Sequence, residues 1–204
     1  MKSYYRIMLG RKSVHAKEAH EGGFIGAGWL YDVDLTSKLV ENWREFNQEM
    51  IPVYLERHPD KKKISAGLAC GMLHTIVKGV KIGDIVLCPD GTGSYFVGEV
   101  IGEYEYHPGQ TLPHQRKVHW YDRVISREEF SEALKNSTGS IGTVSNISKY
   151  AEEIENLIQG GRSPSIVATD DSIEDPTVFA LEKHLEDFIV QNWQQTDFGR
   201  THDI

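Results

Sequence analysis

The stretch from Lys81 to Tyr121 constrains the fold most, because its pattern is typical of a β-meander. It starts with an apolar run at Ile85 that is long enough for a buried strand and too short for a helix. Two further strands are expected over about 95–104 and 116–124, since both segments are rich in β-branched and aromatic residues. The polar and aromatic loop between them, 105–115, is the kind of connection that carries binding residues.

Elements of both classes flank this meander, so the sequence predicts an α+β fold. Apolar residues spaced three and four apart favour helices, and alternating residues favour a strand near the N-terminus. Expected are a strand over 3–9 and helices over 13–19, 37–50, 64–77, 126–134 and 146–158.

Several chemically distinctive residues have a plain structural interpretation. Trp43 and His74 fall on the apolar faces of two expected helices, and we expect both in the core. Cys70 and Cys88 are the two cysteines of the chain and lack a CxxC spacing, so we expect buried thiols in a reducing compartment.

Charge and hydropathy leave nucleic-acid binding open and argue against a membrane protein. The net charge is -8, but residues 1–117 hold 15 Lys and Arg against 14 Asp and Glu, whereas residues 118–204 hold 7 against 16. The near-neutral N-terminal part can still bind a phosphate backbone through a local patch. No segment approaches the roughly 18 apolar residues of a membrane span, and the N-terminus lacks an apolar signal core, so a cytoplasmic location is predicted.

The segment Phe24–Asp34 alternates small residues with large aromatic ones and then ends in carboxylates. Glycines beside Trp29 leave room for a flat ligand to lie against the indole ring. The competing interpretation is a strand whose tryptophan fills the core. Asp32 and Asp34 are either an acid–base pair or, as we favour, solvated or capping carboxylates.

The search for catalytic motifs is negative. The chain has no GxSxG, no HExxH and no phosphate-binding loop. His107, His114 and His119 are too widely spaced to resemble a zinc site. The basic turn at 58–63 is either a solvated loop or a phosphate contact. We therefore expect no catalytic site, metal or cofactor in this chain.

The order of elements along the chain is a strand, a glycine-rich aromatic segment, helices and then the sequences GDIVLCP, GSYFVGEVIGEYEY and HQRKVHW. This order resembles that of the PUA-like superfamily, particularly EVE-type domains and the related YTH domains. The segment ALKNSTGSIGTVSNISKYAEEIE is similar to the N-terminal region of Mrr-type modification-dependent restriction proteins. The resemblance spans about residues 3–158. It implies a small mixed β-barrel (PUA-like, EVE-like) flanked by helices, which binds a modified base flipped out of DNA.

The same resemblance implies an aromatic cage. Trp29 occupies the place of one wall, and the connection before Val118 supplies the other, with Tyr and His where YTH domains carry Trp. Asp34 and the segment at Asn136 would read the edges of the base. The implied base pocket consists of Phe24, Trp29, Tyr31, Asp34, Tyr104, Tyr106, His107, Asn136 and Ser137, and the implied phosphate contacts are Arg11, Lys12, Arg116 and Lys117.

The C-terminal sequence LEKHLEDFIVQNW…TDFGRTHDI is similar to the opening helix of NucS-type nuclease domains of the PD-(D/E)xK class. This implies a reader domain over 1–160, a linker over 161–175, and a truncated nuclease-type domain over 176–204 that forms a C-terminal helical extension. That helix would pack on a nuclease domain or on a second copy of the chain. A divalent metal would be needed only by the missing nuclease domain.

Three functions follow as hypotheses. The first is the specificity module of a modification-dependent restriction endonuclease, which recognises a modified base in DNA and is not itself catalytic. The second is an RNA-binding or RNA-modification-reading module of the same superfamily. The third is a small-molecule enzyme that uses His107 and His114 together with Asp32 and Asp34.

Overall fold

The computed structural model of the chain describes residues 2–140 and 142–161. The expected linker and the expected nuclease-type helix therefore lie outside the described residues, apart from the first residue of the linker. The strands are β1 (Tyr4–Ile7), β2 (Phe24–Ala27), β3 (Ile85–Pro89), β4 (Ser94–Tyr106), β5 (His114–Ser126) and β6 (Val144–Asn146). The α-helices are α1 (Ala16–Gly22), α2 (Trp43–Arg57), α3 (Lys63–His74), α4 (Glu132–Thr138) and α5 (Ala151–Ile158).

The six strands form one mixed sheet in the order β2-β5-β4-β3-β1-β6. Strand β1 pairs with β3 in parallel, and the other neighbouring strands are antiparallel. The predicted α+β class is therefore confirmed. Within the described residues no ladder joins the edge strands β2 and β6, so the hydrogen bonding is that of an open sheet and not of a closed barrel.

Strand β3 is buried on both faces, which is why it reads as a continuous apolar run. Val86 and Cys88 face one hydrophobic cluster, which also contains Phe46 of α2 and residues of α3. Ile85 and Leu87 face a second cluster, to which α4 and α5 contribute. The alternation of side chains along an extended strand thus places a separate core on each side of the sheet.

The predicted meander is present, with longer strands than expected. Strands β4 and β5 extend to Tyr106 and from His114, so the loop shrinks to residues 107–113. The ladder between them changes register next to Gly98 and Gly102. Both glycines allow close approach, since a Cβ on Gly98 would lie 2.7 Å from the carbonyl oxygen of His119, and a Cβ on Gly102 would lie 2.7 Å from Cβ of Lys117.

Helix α2 begins later than predicted, and the expectation of a core position for Trp43 is wrong. The Asp34 carboxylate accepts hydrogen bonds from the Thr36 N–H at 2.9 Å and from its hydroxyl at 2.6 Å, which stabilises a turn in place of a helix start. The helix is capped instead by Asn42, whose side chain accepts from the N–H of Arg44. Trp43 thus lies in the first turn and is 49% exposed.

Other expectations are confirmed. His74 is buried, with Nε2 2.8 Å from the carbonyl oxygen of Val40. Both cysteine side chains are buried. Ser126 and Glu129 form the predicted capping box, although the turn that they close is a short 3₁₀ helix that precedes α4. In the part of the chain that the structure describes, no helix has the length and apolar character of a membrane span.

Candidate functional site

A cavity of about 440 Å³ opens beside Trp29, which is half-buried. The indole packs against the first hydrophobic cluster and also lines the cavity, so both interpretations of this tryptophan hold in part. The volume lies within the range of small-molecule pockets. The lining residues are Met8, Gly10, Arg11, His15, Gly26, Ala27, Gly28, Trp29, Thr111, Leu112 and Thr143.

Two glycines in the cavity wall let a loop approach closely. A Cβ on Gly26 would lie 3.1 Å from the Cβ of Leu112, and a Cβ on Gly28 would lie 2.9 Å from the carbonyl oxygen of Thr111. Larger residues at positions 26 and 28 would therefore push this loop away from Trp29.

The loop at 110–112 is held in place by a buried amide. Gln115 donates from Nε2 to the carbonyl oxygen of Leu112 at 2.8 Å and to the side chain of Gln110 at 2.6 Å. Leu112 is itself buried in the first cluster. Sequence reasoning missed Thr111 and Leu112 as site residues, although Leu112 is the one large aliphatic residue of the expected loop.

Strained backbone surrounds the cavity. Lys12, Ser13 and Leu30 have positive φ angles of 56°, 60° and 53°. Such angles are uncommon for residues other than glycine, and they cluster at functional sites. Two of these residues follow Arg11 and the third follows Trp29, so the strained positions flank two of the lining side chains.

Buried hydrogen bonds fix the strained turn at Leu30. His114 is fully buried, and its Nε2–H donates to the carbonyl oxygen of Leu30 at 3.1 Å. Its Nδ1 accepts from the hydroxyl of Tyr104 at 2.9 Å, and the same hydroxyl accepts from the N–H of Leu35 at 3.3 Å. These contacts assign the imidazole as the neutral Nε2–H form. Burial lowers the pKa of His114, and the hydrogen bonds to backbone only partly oppose this.

A pH dependence follows from His114. Because its pKa is lowered in the folded state, the unfolded chain binds more protons below the ordinary histidine pKa of about 6.5. We therefore expect the free energy of unfolding to decrease as pH falls below about 6.5. Urea unfolding of wild type and of His114→Gln across this range should give a shallower pH dependence for the variant. An unchanged slope in His114→Gln would contradict the assignment.

The structure does not bring the expected second cage wall to Trp29. The hydroxyl of Tyr106 donates to the carbonyl oxygen of Tyr31 at 3.0 Å, and its ring lies 5.5 Å from that of His114. His107 lies 3.2 Å from the carboxylate of Glu105. None of these side chains, nor Tyr104, lines the cavity.

The remaining expected pocket residues have other surroundings. Phe24 is partly buried at the start of β2, and Tyr31 is exposed. Hydrogen bonds from Thr36 hold the pKa of Asp34 below its ordinary value, as expected of a capping carboxylate. Asn136 and Ser137 belong to α4, which packs through Leu134 in the second cluster, and they are not among the residues that line the cavity.

One expected phosphate contact is wrong. Arg116 is 2% exposed, and its guanidinium donates to the carbonyl oxygens of Gly102 at 2.8 Å and of Val80 at 2.7 Å. A phosphate on the surface cannot reach it. Arg11 and Lys12 are exposed, and Arg11 lines the cavity, so these two stay candidates. Lys117 is also exposed but forms an ion pair of 2.9 Å with Glu105.

Both carboxylates considered for acid–base chemistry, Asp32 and Asp34, accept hydrogen bonds from other side chains of the protein. Asp32 accepts from Nε of Arg57 at 2.7 Å, and this hydrogen bond lowers the pKa of Asp32. Across residues 2–140 and 142–161, no group of three or more His, Cys, Asp or Glu side chains is placed to hold a metal ion.

Comparison with known families gives one match. Residues 5–148 match a family described as a domain of unknown function (DUF8426). The chain belongs to this family. The DUF8426 region includes every residue that lines the cavity, from Met8 to Thr143. No curated protein sequence matches the chain.

Proposed function

We propose that the DUF8426 domain recognises a modified base that is flipped out of DNA and inserted beside Trp29. The observation that carries this proposal is the half-buried indole that lines an open cavity of about 440 Å³. A flat, partly apolar ring can stack on such a surface, and stacking of a base on an aromatic side chain contributes about 1–3 kcal/mol.

The polar lining is consistent with an anionic ligand. Arg11 and His15 lie in the cavity wall, and no lining residue is a carboxylate. Lys12 follows in the same strained turn and is exposed. A phosphate next to an extruded base would therefore meet the guanidinium of Arg11, with no carboxylate among the residues that line the cavity.

The same proposal includes membership of the PUA-like superfamily and a role as the specificity module of a modification-dependent restriction endonuclease. In that role the domain selects the DNA and needs no cofactor, and cleavage belongs to a nuclease domain. Thr111 and Leu112 line the cavity together with Trp29, in place of the predicted Tyr104, Tyr106 and His107.

The proposal is tested by a binding panel at one fixed salt concentration. The duplexes carry N6-methyladenine, 5-methylcytosine, 5-hydroxymethylcytosine or no modification, and an RNA of the same sequence tests the alternative of an RNA reader. We expect tight binding to one modified duplex. Trp29→Ala should weaken that binding roughly 5- to 150-fold, because it removes the stacking surface.

Two further variants complete the test. Trp29→Leu keeps much of the apolar packing but lacks a flat ring, so it should fold and still bind weakly. Tyr106→Phe removes only the hydroxyl that contacts Tyr31 and should bind as wild type does. If Trp29→Leu is folded by circular dichroism and binds every duplex as tightly as wild type, the cavity is not the base pocket.

A further inference from the structure

Arg6, in strand β1, is a buried cation to which the proposed function gives no role. It is 6% exposed, and among residues 2–140 and 142–161 it forms no ion pair. Charged side chains are rarely buried unless a partner neutralises them. Burial lowers the pKa of Arg6, and the groups that oppose this, Tyr95 and Cys88, include no carboxylate.

The hydrogen-bond donors of Arg6 are only partly used. A second buried arginine, Arg116, donates to backbone carbonyl oxygens at 2.8 Å and 2.7 Å. Nη1 of Arg6 donates to the carbonyl oxygen of Gly142, whereas Nη2 contacts only the sulfur of Met8, at 3.8 Å. Nε is buried without a partner in the described part of the chain. Because a thioether sulfur is a weak acceptor, Arg6 retains donors that an oxyanion would satisfy better.

These contacts place the guanidinium of Arg6 against one wall of the cavity beside Trp29, which we call the Trp29 cavity. Met8 lines this cavity, and so does Thr143, the residue after Gly142. The N–H of Met8 donates to the carbonyl oxygen of Thr143 at 2.8 Å, so the two wall residues are joined. The unpaired charge therefore lies in contact with a side chain that a ligand in the cavity would touch.

The side chain between the guanidinium and the cavity is one that can move. Met8 is only partly buried, and an unbranched thioether side chain adapts readily to a new neighbour. If Met8 rotates aside, an anionic oxygen in the place of its sulfur would accept a charge-assisted hydrogen bond from Nη2. Arg11, which is exposed and lines the same cavity, can contact that anion from the solvent side.

We propose that Arg6 binds the phosphate of the nucleotide that enters the Trp29 cavity, with a phosphate oxygen replacing the sulfur of Met8 at its guanidinium. This inference rests on the proposed function, since the phosphate is that of the extruded nucleotide. Phosphate contacts carry no sequence information. Arg6→Met should therefore weaken the binding of modified and unmodified duplexes by the same factor, whereas Trp29 acts on the base.

The site is first tested without DNA, by thermal unfolding of the full chain. Inorganic phosphate and deoxyadenosine monophosphate are each compared with sodium chloride at the same ionic strength. A ligand that binds the folded state raises its Tm, so we expect the Tm of wild type to rise with either ligand. Arg6→Met should weaken the apparent affinity roughly 10- to 150-fold, because a charge-assisted hydrogen bond is lost. Arg44→Met removes an exposed arginine and should respond as wild type does.

A second test places a carboxylate where the phosphate oxygen is expected. Met8→Glu should pair with Arg6 and raise the Tm at neutral pH by about 2 °C or more over that of Met8→Gln, its neutral counterpart. It should also weaken the response to phosphate more than Met8→Gln does. In an Arg6→Met background the difference in Tm between the two variants should vanish, because the partner of the new carboxylate is gone.

The outcomes separate this inference from the base-reader proposal. If a modified duplex binds and Arg6→Met leaves its Kd unchanged, Arg6 is not a phosphate contact and the reader proposal stands. If no duplex binds while the response to phosphate depends on Arg6, the reader proposal fails and the anion site stands. The inference is overturned if Arg6→Met responds to phosphate as wild type does, or if Met8→Glu melts no higher than Met8→Gln. Should Arg6→Met not fold, the two Met8 variants decide alone.

Discussion

Arg116→Met is expected to lower the free energy of unfolding by about 3 kcal/mol or more, because it leaves buried carbonyl groups without a donor. The guanidinium donates to Gly102 in β4 and to Val80, and it lies 3.4 Å from the carbonyl oxygen of Val77. Val77 lies in the π-helical turn Thr75–Gly79, which follows α3, and Val80 is the residue that ends this turn. Carbonyl groups at the end of a helix have no further helical partner. Burial lowers the pKa of Arg116, which marks the cost of holding its charge in the interior.

The matched control is the next residue in the chain. Lys117→Met removes a positive charge of similar length from an exposed position, where only an ion pair with Glu105 is lost. Its effect should stay within about 0.5 kcal/mol. Urea denaturation of the three proteins at neutral pH measures both values. Equal stability of the two variants would mean that the hydrogen bonds of Arg116 do not hold the helical turn on the sheet.

Gly98→Ala is expected to cost about 3 kcal/mol, at the upper end of the range for overpacked sites. A Cβ at this position would lie 2.6 Å from Cγ1 of Val118, 2.7 Å from the carbonyl oxygen of His119 and 2.8 Å from Cε3 of Trp120. The Val118 and Trp120 side chains could rotate away, but the carbonyl oxygen of His119 belongs to the backbone of β5, and moving it would distort the pairing of β5 with β4. The strain therefore falls on the longest pair of strands in the sheet.

Gly67→Ala provides the contrasting control. Gly67 lies inside α3, and a Cβ there would meet Cδ1 of Ile51 at an ordinary contact distance of 3.6 Å. Alanine is about 1 kcal/mol better than glycine inside a helix, so this variant should be as stable as wild type or more so. Thermal unfolding monitored by circular dichroism compares the two. If Gly98→Ala has the same Tm as wild type, then β4 and β5 can move apart at this point without loss of stability.

Local sequence patterns predicted the elements of this fold well where one apolar period dominates. The run at Ile85 and the capping box at Ser126 were assigned correctly from short patterns. The start of α2 was not, because the side chain of Asp34 stabilises a turn over the very residues that would have opened the helix. Trp43 was therefore placed in the core although it lies at an exposed helix start.

The candidate site was harder to predict, because its geometry depends on contacts between distant segments. Trp29 was singled out from its glycine neighbours, and it does line a cavity. The partner loop was chosen for its aromatic residues, yet Tyr104 and Tyr106 use their hydroxyls for internal bonds to His114 and Tyr31. No sequence pattern distinguishes the buried Arg116 from the exposed Lys117 until the sheet order is known.

The position of β1 in the sheet has a consequence for how the chain reaches its native state. This first strand lies between β3 and β6, so its pairing partners are drawn from Ile85 onward and from Val144 onward. During synthesis β1 cannot pair until β3 and β6 have been made, because both partners are distant in sequence. Topologies with such distant pairings fold on the order of milliseconds to seconds. The nascent chain therefore exposes the edge of an incomplete sheet until Asn146 has been synthesised. We expect chaperones to bind the chain most during this period.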